Sequence, residues 1–441
     1  MLHPKWISSG KLFVNIAEFD KPKAYWINSV LIFLYFAIIF TVEKNFSFTA
    51  TAILVAALIG LPIHFKKFKS VPHTLPLVLL MTGIFATINA MTRDTGIEES
   101  QWLAIFFLAL IPIYYYLSVS GFSKSFLVWG LYVAAIVGGV LGTYLATNGF
   151  SSIANIRRAY GTALNPVMFG NMGTLLIIFI SARIIFLFSN KNWKELIVAT
   201  IATFSAAFIV LSSGSRTPLI GLSGLLIFFY IYFKLFKSIK FTIALVILAM
   251  IATGYYKGFQ EHSINKRLSS AIAQVTQLGQ NNNIDRSTTI RLDLWKISWE
   301  MAKHNPIFGS GHANNLENAA SAKIRLGMKP EYLKYFTHYH SDFFNIIALF
   351  GAAGLSLYIL TLATAIRTYI KNKALFSFDL HTLFLGHAIG FISFGFTTVN
   401  VGYLNGSAVL FLPIVFFIAL VNYEHQIKEN RGTNQYVALK N

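Results

Sequence analysis

The feature that most constrains this chain is the recurrence of long apolar runs separated by short polar joints. Crossing the hydrocarbon of a bilayer takes about 20 residues as helix. Twelve runs approach that length, at roughly 27–42, 47–65, 75–92, 103–120, 126–147, 166–188, 194–212, 217–236, 239–256, 342–366, 380–398 and 404–422. Lipid offers no partner to backbone N–H and C=O groups, so a spanning run must satisfy them within itself. A closed barrel would alternate apolar and polar residues, and these runs do not. The expected fold class is an all-α polytopic membrane protein of about twelve transmembrane helices. Composition agrees, since only 12% of residues are charged, about half the share usual in soluble domains.

Orientation follows from lysine and arginine, which gather in the cytoplasmic loops of membrane proteins. On the side of the N-terminus lie Lys5, Lys11, Lys21, Lys23, the Lys66/Lys67/Lys69 cluster, Lys234, Lys237, Lys240, Lys371, Lys373 and, counted with the loops, Arg183. The short joints opposite hold only Lys44, Arg93, Arg157, Arg158 and Arg216. Both termini are therefore expected in the cytoplasm. The first 26 residues carry charges throughout and no signal-type apolar stretch, so no cleaved signal is expected. The net charge of +19 is read as loop bias and attraction to anionic membrane lipids, with no nucleic-acid partner. The absence of cysteine excludes disulfides, thiol nucleophiles and thiolate metal sites.

The expected organisation is residues 1–256 as the first nine transmembrane helices, 257–341 as a large periplasmic loop, and 342–441 as the last three helices and a cytoplasmic tail. Loops of this length without a structural need are often functional. Within it "LGQNNNID" (278–285) is polar, and the stretch after it reads as an amphipathic helix with Ile290, Leu294, Ile297 and Met301 on one face. Pro306 ends that helix, and Gly309 and Gly311 suit a tight turn.

Chemistry concentrates on the outer face. "SSGSRTPLIGL" (212–222) sets Arg216 at the mouth of the eighth helix, whose N-terminus points outward. Pro218 suits the first turn, and Ser215 or Thr217 the cap. Free N–H groups and the helix dipole favour an anion there, and an arginine adds a fork of donors for phosphate. The plainer reading is a loop arginine on lipid headgroups. Arg291 is in line with Trp295 and Trp299 on the amphipathic helix, with Arg286 nearby; a solvated face is the plainer reading. Arg157 and Arg158 in "NIRRAYGTALNP" (155–166) share the same side, where interfacial anchoring would suffice.

His338 and His340 are two apart, so in extended chain they share one face. The tenth helix is expected to start at Ser341 or Asp342. Beside the positive end of that helix an imidazole should stay neutral and can act as a general base. Two water-satisfied interfacial histidines are the plainer alternative. A metal site from His338, His340, His312 and Asp342 lacks regular ligand spacing. The sequence has no P-loop, Rossmann fingerprint or nucleophile elbow. Sparse charge within the spans argues against an ion-coupled transporter. Two outward helix N-termini, arginines and a neutral base suit transfer from a diphosphate-activated lipid donor.

At these residues the chain resembles the O-antigen ligase family, within a wider group that includes O-antigen polymerases and O-linked oligosaccharyltransferases. "SSGSRTPLIGL" is similar to the family's arginine segment. "TTIRLDLWKISWEMAKHNPIFGSG" is similar to its Arg-x-x-x-Trp helix ending in Pro-x-x-Gly-x-Gly. "HYHSDFFNIIALFGAAGL" is similar to its His-x-His segment. One departure is Ser341, where many relatives carry Asn. The resemblance implies a GT-C-type architecture in the bacterial inner membrane with a periplasmic active site. It also implies a metal-independent, inverting transfer without cofactor from an undecaprenyl-diphosphate-linked glycan to lipid A–core oligosaccharide. Arg216 and Arg291 would bind the pyrophosphate, and His340 would deprotonate the acceptor hydroxyl. His338, Arg286, Arg157 and Arg158 are secondary candidates. The alternatives are an O-antigen polymerase, a protein O-oligosaccharyltransferase and, from another class, a lipid-linked oligosaccharide flippase. If His340 is the base, activity should fall on acidification through the ordinary imidazole range.

Overall fold

The fold comes from a computed structural model. It describes residues 22–39, 45–93, 98–147, 166–213, 215, 217–232, 286–312, 314–331, 333, 338–401 and 404–438. These residues are all helix, turn and coil, with no strand among them. Eight helices cover the first half of the chain: α1 (Lys23–Ala37), α2 (Asn45–His64), α3 (Thr74–Arg93), α4 (Glu98–Ser120), α5 (Lys124–Thr147), α6 (Pro166–Ser189), α7 (Trp193–Ser212) and α8 (Thr217–Tyr232). Two follow in the region expected to be the large loop, α9 (Arg286–His304) and α10 (Asn315–Arg325). Three close the chain: α11 (Asp342–Lys371), α12 (Phe378–Gly395) and α13 (Leu404–Ala438).

Among the described residues, 8 helices are long and apolar enough to cross a membrane, with α1 and part of α8 shorter but apolar. The protein is thus a multi-pass helical membrane protein. Each expected span except 239–256 overlaps a described helix, though α12, at the expected span 380–398, is not among the eight long and apolar enough to cross, and the ninth run lies outside the described residues. The helices are not equivalent. In α13 the apolar window Gly406–Glu429 is 94% buried by other helices, against 22% for the window of α2 and 28% for that of α7. So α13 is the hub of the bundle, and α2 and α7 turn most of their surface to the lipid.

Polar side chains tie neighbouring helices where water is absent, the usual device of membrane bundles. Asn28 of α1 donates to Ser120 Oγ of α4 at 2.8 Å, and Asn422 of α13 donates to Tyr114 OH of α4 at 2.8 Å. Arg183, expected among the loop charges, is instead wholly buried inside α6. Its Nε and Nη2 donate to Glu195 Oε1 of α7 at 3.0 and 2.6 Å, and its Nη1 to Asp379 Oδ2 of α12 at 2.7 Å. Tyr132 of α5 and Asn192 donate to the same glutamate at 3.1 and 2.9 Å. A guanidinium without water needs such partners, which is why it sits where two other helices can supply them.

One span is broken. Inside α11, Gly351 has φ 63° and ψ −165°, a conformation open to glycine and almost nothing else. The break lies about 14 Å along the helix from its start, and it frees carbonyls before it and N–H groups after it. The turn that follows α9 satisfies them. Ser310 and Gly311 donate their N–H groups to Ala348 and Leu349 carbonyls at 2.9 Å each, while Ala352 and Ala353 donate to Pro306 and Ile307 carbonyls at 2.8 and 3.0 Å. A β-carbon on Gly309 would fall on the Leu349 carbonyl, and one on Gly351 would fall on that of Ile307. The Pro-x-x-Gly-x-Gly run and the glycine of α11 are therefore two halves of one junction. Irregular backbone inside a span is tolerated only where protein completes its hydrogen bonds, as here.

Candidate active site

The junction above docks α9 against α11, and the apolar stripe of α9 completes the contact. Leu294, Ile297 and Met301 are buried with Ala348 of α11 and Ala319 and Ala322 of α10, and Ile290 packs at the edge. Trp295 stacks on Phe344 with ring centroids 5.0 Å apart and planes 13° apart. Ser298 Oγ donates to the Phe344 carbonyl at 2.6 Å. The face read from the sequence is the face that is buried.

The His-x-His segment is held from within. Tyr339 is buried; its hydroxyl donates to Asn315 Oδ1 at 2.6 Å and lies 2.9 Å from Met301 Sδ. His338 and His340, on either side of it in sequence, have ring centroids 4.5 Å apart. Both rings are half-buried. His340 has φ 50°, a left-handed conformation that costs a side-chain-bearing residue about 1–2 kcal/mol. Ser341 is extended at the N-cap, and α11 begins at Asp342.

The caps are not used as expected. Ser341 makes no capping bond to α11; its hydroxyl donates to the Gly395 carbonyl at the end of α12, at 2.9 Å. Asp342 turns the same way. Its Oδ1 accepts from the backbone N–H groups of Asn400 and Val401 at 2.6 and 2.8 Å, and its Oδ2 from Asn400 Nδ2 at 2.8 Å. Asn345 Nδ2 donates to the Val401 carbonyl at 3.2 Å. The first turn of α11 is thus clamped to the turn between α12 and α13. Asp342 is committed there rather than to a metal set with the histidines, and His312 packs edge-on against Phe350. Among the described residues no three of His, Asp and Glu are gathered to hold a metal ion.

The electrostatics favour neutral imidazoles. The His340 pKa is pushed down to about 4, first by burial, then by the neighbouring His338 and by Arg291. His338 is lowered as well, by burial. The direction matches the expectation from the helix terminus, but loss of water is the leading cause. The positive charge of Arg291, one turn before Trp295, is among the causes that lower His340.

The remaining candidates are less completely described. Arg286 opens α9 without a described side chain, and Arg157, Arg158 and Arg216 lie outside the described residues. The flanks of Arg216 are described. Thr217 begins α8 and is buried, and the Pro218 carbonyl accepts from Thr174 Oγ1 of α6 at 3.1 Å. A β-carbon on Gly221 would strike Phe394, the residue before the Gly395 that Ser341 binds. The N-terminus of α8 therefore opens at the same end of the bundle as His340. The sequence reading missed Asp342 and Asn400 as a pair. It also missed Asn89, whose Nδ2 donates to the Phe308 carbonyl at 2.9 Å and ties α3 to the glycine turn.

The apolar helices define the class as a multi-pass helical membrane protein, with a half-buried histidine pair and an arginine-bearing amphipathic helix as its candidate site. Residues 200–359, from α7 into α11, match the family model described as O-antigen ligase. The match supports the O-antigen ligase family for this chain. The matched segment contains Arg216, Arg291, His338 and His340. The chain is also 24% identical over 209 residues to an uncharacterized protein of Haemophilus influenzae, covering 47% of this chain and 51% of that protein. The chain thus spans about half the length of the curated relative it matches.

Proposed function

We propose that the protein transfers a glycan from undecaprenyl diphosphate to lipid A–core oligosaccharide at the periplasmic face of the bacterial inner membrane, with both termini cytoplasmic. The observation that carries this reading is the His338–His340 pair beside Arg291, inside the segment matched by the ligase family. His340 takes the proton from an acceptor hydroxyl as its oxygen attacks the anomeric carbon. The bond from that carbon to the pyrophosphate oxygen breaks with inversion, and the electron pair leaves with undecaprenyl diphosphate. Arg291 and Arg216 bind the pyrophosphate and stabilise the charge that grows on it. No metal takes part in the proposed step. A bound pyrophosphate also offsets the positive field of Arg291 at His340, so the base strengthens once the donor is in place.

The test is transfer by purified protein from purified lipid-linked glycan to purified lipid A–core, with and without chelator. Glycan joined to lipid A–core at the same rate in both arms is the expected result. Lengthening of the glycan with lipid A–core untouched would mean a polymerase, and sugar on an offered protein acceptor would mean a protein glycosyltransferase. Full surface glycan in cells carrying His340→Ala and Arg216→Ala would favour a flippase.

A further inference from the structure

His340 is suspended between two anchors. On one side Tyr339 is fixed by Asn315. On the other, Ser341 and Asp342 bind the turn between α12 and α13, 54 to 59 residues further along the chain. A histidine with positive φ relaxes to a commoner conformation unless its neighbours forbid it. The Asp342 carboxylate accepts three hydrogen bonds from that turn, and only one of them comes from a side chain, Asn400 Nδ2. Asn400 Oδ1 is buried without a partner, so the amide has no described hydrogen-bonding duty except to Asp342. Neither Asp342 nor Asn400 belongs to the reacting groups proposed above.

We propose that Asp342 and Asn400 form a positioning pair that holds the backbone at His340, and so the direction of its imidazole, by locking the start of α11 to the α12–α13 turn. The inference rests on the proposed role of His340. The pair acts on turnover through the orientation of the base and makes no contact with donor or acceptor. Rate suffers from a displacement of about 1 Å in a catalytic group even when binding is unharmed.

The chemistry of the pair supplies its own test. In Asp342→Asn the new amide oxygen still accepts both backbone N–H groups, but its NH2 finds an acceptor only if the Asn400 amide turns over, which leaves a buried NH2 without a partner where Oδ1 stood. In Asn400→Asp two carboxyl groups meet, and the contact survives only where one of them takes up a proton, so the loss grows as pH rises. In the double variant, Asn at 342 accepts the same N–H groups and donates to Asp at 400, restoring the pattern with the partners exchanged. Transfer kinetics are measured on purified, monodisperse preparations of the two single variants, the double variant and His340→Ala. Each single variant is expected to lose about tenfold or more in kcat with donor KM within about twofold of wild type, and the double variant to return to within about threefold. Wild-type kcat in both single variants, or a double variant no better than the worse single, overturns the proposal. If a single variant does not insert, Asn400→Ala is read instead, since it keeps both backbone bonds to Asp342; a wild-type kcat there also overturns it. Full activity in His340→Ala would defeat the proposed role of the histidine, a failure distinct from that of the pair.

Discussion

The two ends of the bundle handle buried polarity in opposite ways. At one end Arg183 is surrounded by Glu195 and Asp379, with Tyr132 and Asn192 completing the glutamate. Asp379 Oδ1 is the only carboxylate oxygen there without a partner. At the other end two histidines crowd each other with rings 4.5 Å apart, one of them in left-handed backbone, under the field of an arginine. The first arrangement gives every guanidinium nitrogen a carboxylate partner and joins four helices. The second holds its groups in forms they would leave if released. Saturation is what a packing device needs, whereas a site that must bind charge and move a proton needs capacity left over. The second end keeps its shape because saturated contacts lie just behind it, at Asp342 and at the Gly309–Gly351 junction.

The comparison can be broken at either end. Arg183→Ala leaves two buried carboxylates uncompensated, and the expected loss of stability is about 3–5 kcal/mol. Thermal unfolding in detergent measures it, and turnover per folded molecule should stay near that of wild type. Gly351→Ala forces a β-carbon into the Ile307 carbonyl at a glycine-only conformation. A loss of about 2–5 kcal/mol is expected, together with a fall in kcat, because the junction also sets α9 and Arg291 against α11. That variant should combine the behaviours of the two ends. A stable Gly351→Ala protein with wild-type kcat would separate the junction from the site.

Arg291→Lys keeps the charge but loses the planar fork. Donor KM should rise about tenfold, as expected for a lost charge-assisted hydrogen bond, with little change in melting temperature. The pH profile is the subtlest discriminator. The folded pKa of His340 is depressed from 6.5 to about 4, so the imidazole is neutral across the ordinary range. The expected kcat/KM is then flat near neutrality and falls only as pH drops through about 4, lower than the sequence alone suggests. Donor charge should raise the acid limb of kcat above that of kcat/KM, since the first reports the complex and the second the free enzyme. Stability has the same sign: with a depressed histidine pKa the unfolded chain binds the extra proton, so folding weakens as pH falls from 6.5 toward 4.

Much of this was readable from the residues. The apolar runs located the helices, the spacing Ile290–Leu294–Ile297–Met301 gave the buried face of α9, and the two-residue interval brought the histidines together. What escaped depends on distant partners. Arg183 reads as a loop charge until Asp379, 196 residues away, is brought beside it. Asp342 reads as a cap until Asn400 meets it, 58 residues on. Local pattern carries no signal for such pairings. The broken span left a trace that could have been used: Gly351 is a glycine that a plain helix does not require, and it adopts positive φ as the turn glycines Gly309 and Gly311 do.

The most direct measurement is transfer from purified lipid-linked glycan by wild-type and His340→Ala protein at neutral pH, with melting temperatures taken on the same samples. The account predicts a loss of about a hundredfold or more in kcat with a melting temperature close to that of wild type, since the ring removed is half-buried and outside the hydrophobic core. Equal rates, or a rate that falls only in step with the folded fraction, would contradict it.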